Sequence, residues 1–216
     1  MIIRTVLLAG AALALTGCIT LLPESEGSAL YRLSNHVPAG PGVNHDAPVV
    51  RVTRPIAPRA LAGDRVALDT GQGRLSYLAG ANWVSSAPVL LQELVIDTFD
   101  RRSGALVAVR SDDGVASSWD LRLELRRFEA VYDQGANAAP RVDVAFRARL
   151  IDGASREVAG LRTFEVSHRA GGNRQSLIVE AFSRAASEAS SELVDWTSER
   201  VTQTEAARPS TQDEDR

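Results

Sequence analysis

The chain has 216 residues, of which 44% are hydrophobic and 24% are charged. This length and apolar fraction suffice for one globular domain with a single core, and the formal net charge of -3 lacks the basic excess typical of proteins that bind nucleic acid. The sequence contains one cysteine, which excludes intramolecular disulfides and leaves packing to hold the domain together.

The N-terminus resembles a bacterial secretory signal. Arg4 supplies the positive charge, residues 6–15 form an apolar run, and Leu15-Thr16-Gly17-Cys18 closes it. The apolar run is too short to cross a bilayer, which takes roughly 20 residues. Leucine three positions before the cysteine and glycine immediately before it match the pattern that lipoprotein signal peptidase recognises. The alternative is an ordinary signal followed by a buried free cysteine.

We therefore predict that residues 1–17 are a signal peptide and that Cys18 carries the lipid. Several acyl chains on one residue bind a membrane firmly, because each buried methylene contributes about 0.8 kcal/mol. Ile19 stands where an aspartate would favour inner-membrane retention, so the outer membrane is favoured over the inner one. Residues 18–28 are predicted to be a lipidated tether and residues 29–202 the domain.

The first half of the domain alternates short strands with turns. Residues 31–33 are the first predicted ordered element, and proline and glycine make residues 37–48 a long loop. Period-two patterns then predict strands over 48–53 and 65–69, followed by a hairpin turn at 70–73 into a strand over 74–77.

A helix follows this hairpin. Ser85 or Ser86 is a suitable N-cap, and Pro88 suits the first turn. Inward positions at helical spacing and acidic positions opposite them predict an amphipathic helix that ends near Gly104. The inward positions are Leu91, Leu94, Val95 and Thr98, and the opposite ones are Glu93, Asp97 and Asp100.

The second half contains a strand over 106–110 and then three stretches with two-residue periodicity, over 119–126, 141–150 and 158–166. Phe128 breaks the phase of the first stretch, which predicts a bulge. Asp152-Gly153 marks a turn, so the stretches are predicted to pair as an antiparallel meander.

The last element is a helix over about 175–201, and residues 203–216 are predicted to be a disordered acidic tail. The fold class that follows is α+β: a single domain with a mostly antiparallel sheet and two helices packed on one face.

The sequence lacks recognisable catalytic, cofactor or metal motifs. His36, His45 and Asp46 fall in the proline-rich loop, where adjacent flexible residues rarely hold catalytic or metal-binding geometry. His168 is most simply a surface residue. No catalytic residue, metal or cofactor is therefore predicted.

Two groups of side chains are candidates for binding. Tyr77 and Trp83 lie near the start of the first helix and could contact a partner, although positions at the edge of the core are the favoured interpretation. Arginines on the polar faces of the meander could attract anionic lipid headgroups, but acidic residues between them favour a solvated face with ion pairs. These arginines are Arg122, Arg126, Arg147, Arg149 and Arg162, and the acidic residues are Asp120, Glu124 and Asp143.

The chain as a whole resembles the auxiliary lipoproteins of ABC-type transport systems, the PqiC-like group. The matching features, in chain order, are Cys18, Tyr31-Arg32-Leu33, Pro55 and Pro58 ahead of Leu61, Arg65, the run from Tyr77 to Trp83 before Pro88, the strand from Trp119 to Phe128 and the final helix ending near Trp196. They extend over nearly the whole chain after Cys18.

The resemblance implies a non-enzymatic envelope component that works with an MCE-domain protein, a permease and an ATPase. Such a component would dock or cap a periplasmic conduit for phospholipid or another lipid, and members can form rings, so self-association is compatible with it. The alternatives are a structural or assembly lipoprotein of an outer-membrane complex and, less favoured, an anchored hydrolase.

Overall fold

The computed structural model describes residues 27–40, 42, 44, 46–71, 73–102 and 104–208. The predicted signal peptide, Cys18, most of the tether, His45 and residues 209–216 lie outside these residues.

One sheet and two helices make up the described part of the chain, which confirms the predicted α+β single domain. The strands are β1 (Ala29–Tyr31), β2 (Val49–Val52), β3 (Arg65–Asp69), β4 (Leu75–Trp83), β5 (Val107–Arg110), β6 (Trp119–Val131), β7 (Arg141–Asp152) and β8 (Val158–Arg169). The helices are α1 (Ala87–Arg102) and α2 (Gln175–Ala206).

The central element is β6, a strand of 13 residues. One of its edges pairs with β7 in antiparallel fashion along its whole length, and β7 pairs with β8 in the same way. The predicted meander is thus confirmed, and the predicted bulge lies between Leu125 and Arg127. The other edge of β6 pairs in parallel with β2 near Trp119 and with β3 near Glu129.

Parallel pairings make this sheet mixed. Besides the two on β6, β1 is parallel to β4 and β2 is parallel to β5. Parallel neighbours need a crossover connection, and α1 lies in the connection between β4 and β5. Antiparallel pairing still joins most of the paired residues, because the β6–β8 meander is much longer than the other pairings.

Both helices cover the same face of the sheet, as predicted. Helix α2 packs on β7 and β8, α1 packs on β2 and β5, and the helices contact each other. Leu121, Leu123 and Leu125 of β6 are buried beneath them, whereas Arg122 and Arg126 point to the opposite face and are exposed. The two-residue alternation therefore separates a hydrophobic core from a polar face.

Close approach of α2 to the sheet depends on small residues. A Cβ on Gly160 of β8 would lie 2.8 Å from the Trp196 ring, so only glycine fits there. The buried side of α2 is also lined with small side chains, namely Ala181, Ser183, Ala185, Ala186, Ser187, Ala189 and Ser190.

The end of α2 lies five residues beyond the predicted position at Val201. Tertiary contacts explain the extension: Trp119 Nε1 donates to Glu205 at 3.3 Å, and Arg208 donates to Asp152 at 2.5 Å. Such contacts stabilise the last turn of a helix even though apolar residues do not recur there at helical spacing.

A segment over residues 32–38 crosses the two helices and attaches the N-terminal strand to them. The backbone N–H groups of Ser34 and His36 donate to the hydroxyls of Ser183 and Ser187 at 3.1 and 3.0 Å. Asn35 donates to Asp97 of α1 at 2.7 Å. The predicted loop over 37–48 begins within this segment, which is irregular but held by specific hydrogen bonds.

Trp83 ends β4 and is buried, with 1% of its surface exposed. Its ring packs against Phe128 and Phe182, at centroid distances of 5.6 and 5.3 Å. The favoured interpretation, a tryptophan at the core, therefore agrees with the structure, and the alternative of an exposed partner contact is wrong, because β4 continues past Tyr77 and carries this side chain into the core. Its Nε1 has no hydrogen-bond partner among the described residues.

We predict different costs for two substitutions of Trp83. Trp83→Ala should reduce the free energy of unfolding by about 3–5 kcal/mol, because it leaves a cavity between two phenylalanines. Trp83→Phe should cost clearly less, since the ring is kept and the indole N–H has no hydrogen bond to lose. Urea denaturation measures both variants, and equal losses for the two would contradict this description of the core.

Candidate functional site

The candidate site lies on the side of β6, β7 and β8 that the helices leave uncovered, which we call the open face. Its side chains form rows across the three strands. Arg122 lies opposite Arg149, which lies opposite Leu161, and in the next row Glu124 lies opposite Arg147. Ile56, from the segment after β2, forms a bridge with Glu124.

Most arginines on the open face are paired with acids. Arg127 donates to Glu165 at 2.8 Å and Arg51 lies 3.4 Å from Asp120. At the far end of the meander, Arg141 and Arg169 contact the same carboxylate, that of Asp133, at 2.9 and 2.8 Å. None of these four arginines is among the five for which ion pairs with neighbouring acids were predicted. Of those five, Arg126 has such a pair, with Glu124 at 3.4 Å.

Arg122, Arg147 and Arg149 differ from the rest, and we call them the arginine cluster. Within the described part of the chain, none of the three guanidinium groups has an acid within ion-pair distance or a hydrogen-bond partner. Glu124 lies among them, but its carboxylate is 3.4 Å from Arg126 instead. At these three positions the prediction of mutual ion pairing is therefore wrong.

Arg162 does not belong to this surface. It lies opposite Ala148, whose side chain is buried under the helices. Its guanidinium lies 4.9 Å from the ring centroid of Phe164, two residues further along the same side of β8. Its charge is therefore on the helix side of the sheet.

The arginine cluster surrounds a shallow pocket of about 160 Å³. The lining residues are Ile56, Arg122, Leu123, Glu124, Arg147, Arg149 and Leu161. Ile56 and Leu161 are 73% and 48% exposed, so the pocket combines guanidinium groups with accessible apolar side chains. Period-two alternation could reveal the arginines, but the sequence carried no signal that Ile56 would join them.

Acidic residues concentrate further along the same face. Glu129 lies opposite Asp143, and both are buried. Burial, followed by the nearby carboxylates of Asp69 and Asp143, raises the pKa of Glu129. Burial also acts to raise the pKa of Asp143, but hydrogen bonds from Arg141 and Ser167 outweigh it, and the net shift is downward. The negative charge of Asp143 is thus stabilised by its hydrogen bonds, whereas burial and neighbouring carboxylates disfavour a negative charge on Glu129.

The candidate histidines lie apart from the open face. His168 Nε2 is 2.7 Å from Glu188 on α2, and His36 Nε2 is 3.6 Å from Glu180. Asp46 is exposed in its loop, beside His45, which lies outside the described residues. A search of the described residues found no group of three or more histidine, cysteine, aspartate and glutamate side chains that could hold a metal ion.

Tyr77 is half-buried and contacts other residues of the same domain. The Arg65 guanidinium lies 3.5 Å from its ring centroid, and its hydroxyl donates to the Ala60 carbonyl at 3.4 Å. One face of the ring is thereby covered. A partner contact through the remaining surface of Tyr77 stays a prediction.

Neither helix of the described chain is long and apolar enough to span a bilayer.

Comparison with known proteins places the chain among lipoproteins of transport systems. The model of the family described as ABC-type transport auxiliary lipoprotein component matches residues 31–194. An uncharacterized protein of Bradyrhizobium diazoefficiens is 30% identical over 115 residues, which is 53% of this chain and 30% of that relative. The match therefore spans less than a third of the relative's length.

Solved structures share the fold. A crystal structure of a protein from Xanthomonas campestris has a TM-score of 0.74 at 24% identity, and the alignment covers 83% of this chain and 99% of that one. A second crystal structure, of an uncharacterized protein, has a TM-score of 0.64 at 14% identity, with 79% and 99% of the two chains covered. At these identities the likeness shows the fold alone.

The raised pKa of Glu129 leads to a prediction about pH. At pH values between the ordinary pKa of 4.5 and the raised pKa, the Glu129 carboxyl binds a proton when the chain folds. The protonated carboxyl imposes no charge penalty, so its contribution to stability is present at low pH and is lost as pH rises through the raised pKa. Glu129→Gln should therefore raise the melting temperature at neutral pH and change it little at about pH 4.

Thermal unfolding across this pH range measures the effect. Glu165→Gln is the matched control, because Glu165 lies on the same face but is paired with Arg127 at 2.8 Å, and it should give no gain at neutral pH. A Glu129→Gln variant that melts at or below the wild-type temperature at neutral pH would show that the charge is compensated.

Proposed function

The chain belongs to the family of ABC-type transport auxiliary lipoprotein components, and from this membership we propose that it is a lipid-anchored periplasmic subunit of an MCE-type lipid transport system. The observation that carries the proposal is the extent of the family match. Residues 31–194 run from the end of β1 into the second half of α2, so they include nearly the whole described domain.

In the proposed role the subunit docks or caps the periplasmic conduit and performs no catalysis. The ATPase of the system hydrolyses ATP, and an MCE-domain protein and a permease carry the lipid. The arrangement of side chains supports a binding role: the histidines of the described residues lie on the helix side, far from the arginines of the open face, and each contacts a glutamate of α2. The open face offers a broad surface to lipid or protein.

The proposed anchor at Cys18 restricts where the domain can work. Ten residues separate Cys18 from Ala29, the first residue of β1, and a chain of that length spans at most about 36 Å. The domain would therefore stay close to the membrane surface, on the periplasmic side and preferably at the outer membrane. Self-association into a ring is compatible with a cap on a conduit.

Cys18→Ala tests the anchor. Because acylation at Cys18 would supply the membrane affinity, the variant should either be released from membranes or accumulate as unprocessed precursor. Membrane fractionation with alkaline extraction, combined with mass measurement of the N-terminal peptide, distinguishes these states. A fully processed Cys18→Ala protein that resists alkaline extraction would show that Cys18 is not the anchor.

Co-purification with an MCE-domain protein tests the proposed function. Full-length protein extracted from native membranes should retain the MCE partner, and Tyr77→Ala should weaken that association if the exposed part of Tyr77 contributes to the interface, by about 2 kcal/mol for a residue central to binding. Tyr132→Ala, at another half-buried tyrosine, is the matched control. Wild-type protein that retains components of an outer-membrane complex but no MCE partner would favour the assembly-lipoprotein alternative.

A further inference from the structure

We propose that the arginine cluster binds the phosphate of an anionic phospholipid, with Ile56 and Leu161 against the apolar part of the molecule. The inference deepens the proposed function, on which it rests, by assigning a lipid-binding site to this chain. It is carried by three observations: arginines without ion pairs, a pocket at their centre and exposed apolar side chains at its rim.

The three guanidinium groups of the cluster have no acid within ion-pair distance among the described residues, and the nearby Glu124, opposite Arg147, is paired with Arg126. Arg122 and Arg149 are direct cross-strand partners, an arrangement that brings their Cβ atoms to about 4.5–5.5 Å and destabilises the sheet when the charges are alike. On the same face, Arg127 and Arg141 are each paired with an acid. Arginines without ion pairs are thus concentrated at one place, whereas these other arginines of the face are paired with acids. This arrangement fits a site at which a ligand supplies the negative charge.

The pocket suits a phosphate group. Guanidinium groups present N–H donors in a planar fork that matches phosphate oxygens, and Arg122, Arg147 and Arg149 all line the pocket. Its volume of about 160 Å³ is about ten times the 10–15 Å³ of cavity volume that one water molecule needs. That is room for a phosphate with its four oxygens, while the rest of the molecule extends over the open face.

The apolar rim distinguishes a lipid from a free anion. Leu161 lies directly across from Arg149, and Ile56 lies beside Glu124 on the other side of the cluster. Both are well exposed, so contact with glycerol and the first acyl methylenes would remove apolar surface from water at about 25 cal/mol per Å². Inorganic phosphate would gain nothing from these two side chains.

An acidic peptide fits this surface less well. Peptides that bind sheets usually add a strand at a free edge, where backbone hydrogen bonds supply affinity. The cluster lies on β6 and β7, and each of these strands is paired on both edges near the arginines. Among the three strands of the open face, a peptide could form backbone hydrogen bonds only at the outer edge of β8, one strand beyond the arginines.

Calorimetric titration of the mature chain without lipid, residues 19–216, tests the site. All members of the hydrophobic core lie between Val50 and Val201, so this chain retains the whole core. The probes are dihexanoyl phosphatidylglycerol below its micelle concentration, the corresponding phosphatidylcholine and inorganic phosphate. We expect phosphatidylglycerol to bind most tightly and its affinity to fall with added salt.

Arg122→Gln/Arg149→Gln should weaken phosphatidylglycerol binding by about tenfold or more, since charge-assisted hydrogen bonds are lost. Arg74→Gln/Arg174→Gln removes the same charge at two exposed positions away from the pocket and should bind as the wild type does. Leu161→Ser should weaken binding of phosphatidylglycerol but not of inorganic phosphate.

Several results would overturn the inference. The wild type could bind inorganic phosphate as tightly as phosphatidylglycerol, or could unfold cooperatively and yet bind no phosphatidylglycerol. The Arg122→Gln/Arg149→Gln variant could bind phosphatidylglycerol as the wild type does, or the Arg74→Gln/Arg174→Gln control could lose as much affinity as that variant. Lost lipid binding with an intact MCE partner would overturn this inference alone. A lost partner with intact lipid binding would overturn the proposed function alone.

Discussion

Pairing of β6 along both edges is the constraint on which the rest of the structure depends. Because β7 occupies one edge and β2, Ile56 and β3 share the other, the side chains of β6 can point only toward the helices or toward the open face. The bulge between Leu125 and Arg127 shifts this alternation by one residue. Phe128 therefore points inward, and the core extends along the whole strand.

The two faces that result are chemically different. The inward face is closed by α1 and α2, which approach closely because small side chains line α2 and glycine stands at position 160. The outward face carries charged side chains in cross-strand rows. Ion pairs neutralise most of them, whereas the arginine cluster retains its charge around a pocket. Packing thus explains the inward face, whereas the outward face combines unpaired guanidinium groups with a pocket.

Periodicity in the sequence is sufficient for the elements that local pattern controls. The meander, its bulge at Phe128, both helices and their common face are all present as predicted, because alternation and helical spacing decide which side chains can be buried together. Cross-strand register lies beyond such patterns. That Arg122 meets Arg149 depends on which residue of β7 lies opposite, and a shift of one residue would bring Ala148 or Leu150 to that position and turn every side chain of the strand to the other face.

Other differences have equally specific physical causes. The sequence favoured a position for Trp83 at the edge of the core, but its full burial depends on β4 continuing through Gly80, with a φ of +66°, beyond Tyr77, where the sequence pattern ends the strand. The parallel pairings depend on contacts between segments far apart in the chain. The last turns of α2 depend on Trp119 and Asp152, which are distant in sequence from Glu205 and Arg208.

The central claim is that the open face is the working surface and that the helix side is structural. Photo-cross-linking in native membranes tests it most directly, with a photoreactive residue placed in the full-length protein at Thr163, beside the cluster, or at Glu192, on the exposed side of α2. The account predicts cross-links to phospholipid or to a transport component from position 163 and few from position 192. Cross-links from position 192, with none from position 163, would contradict it.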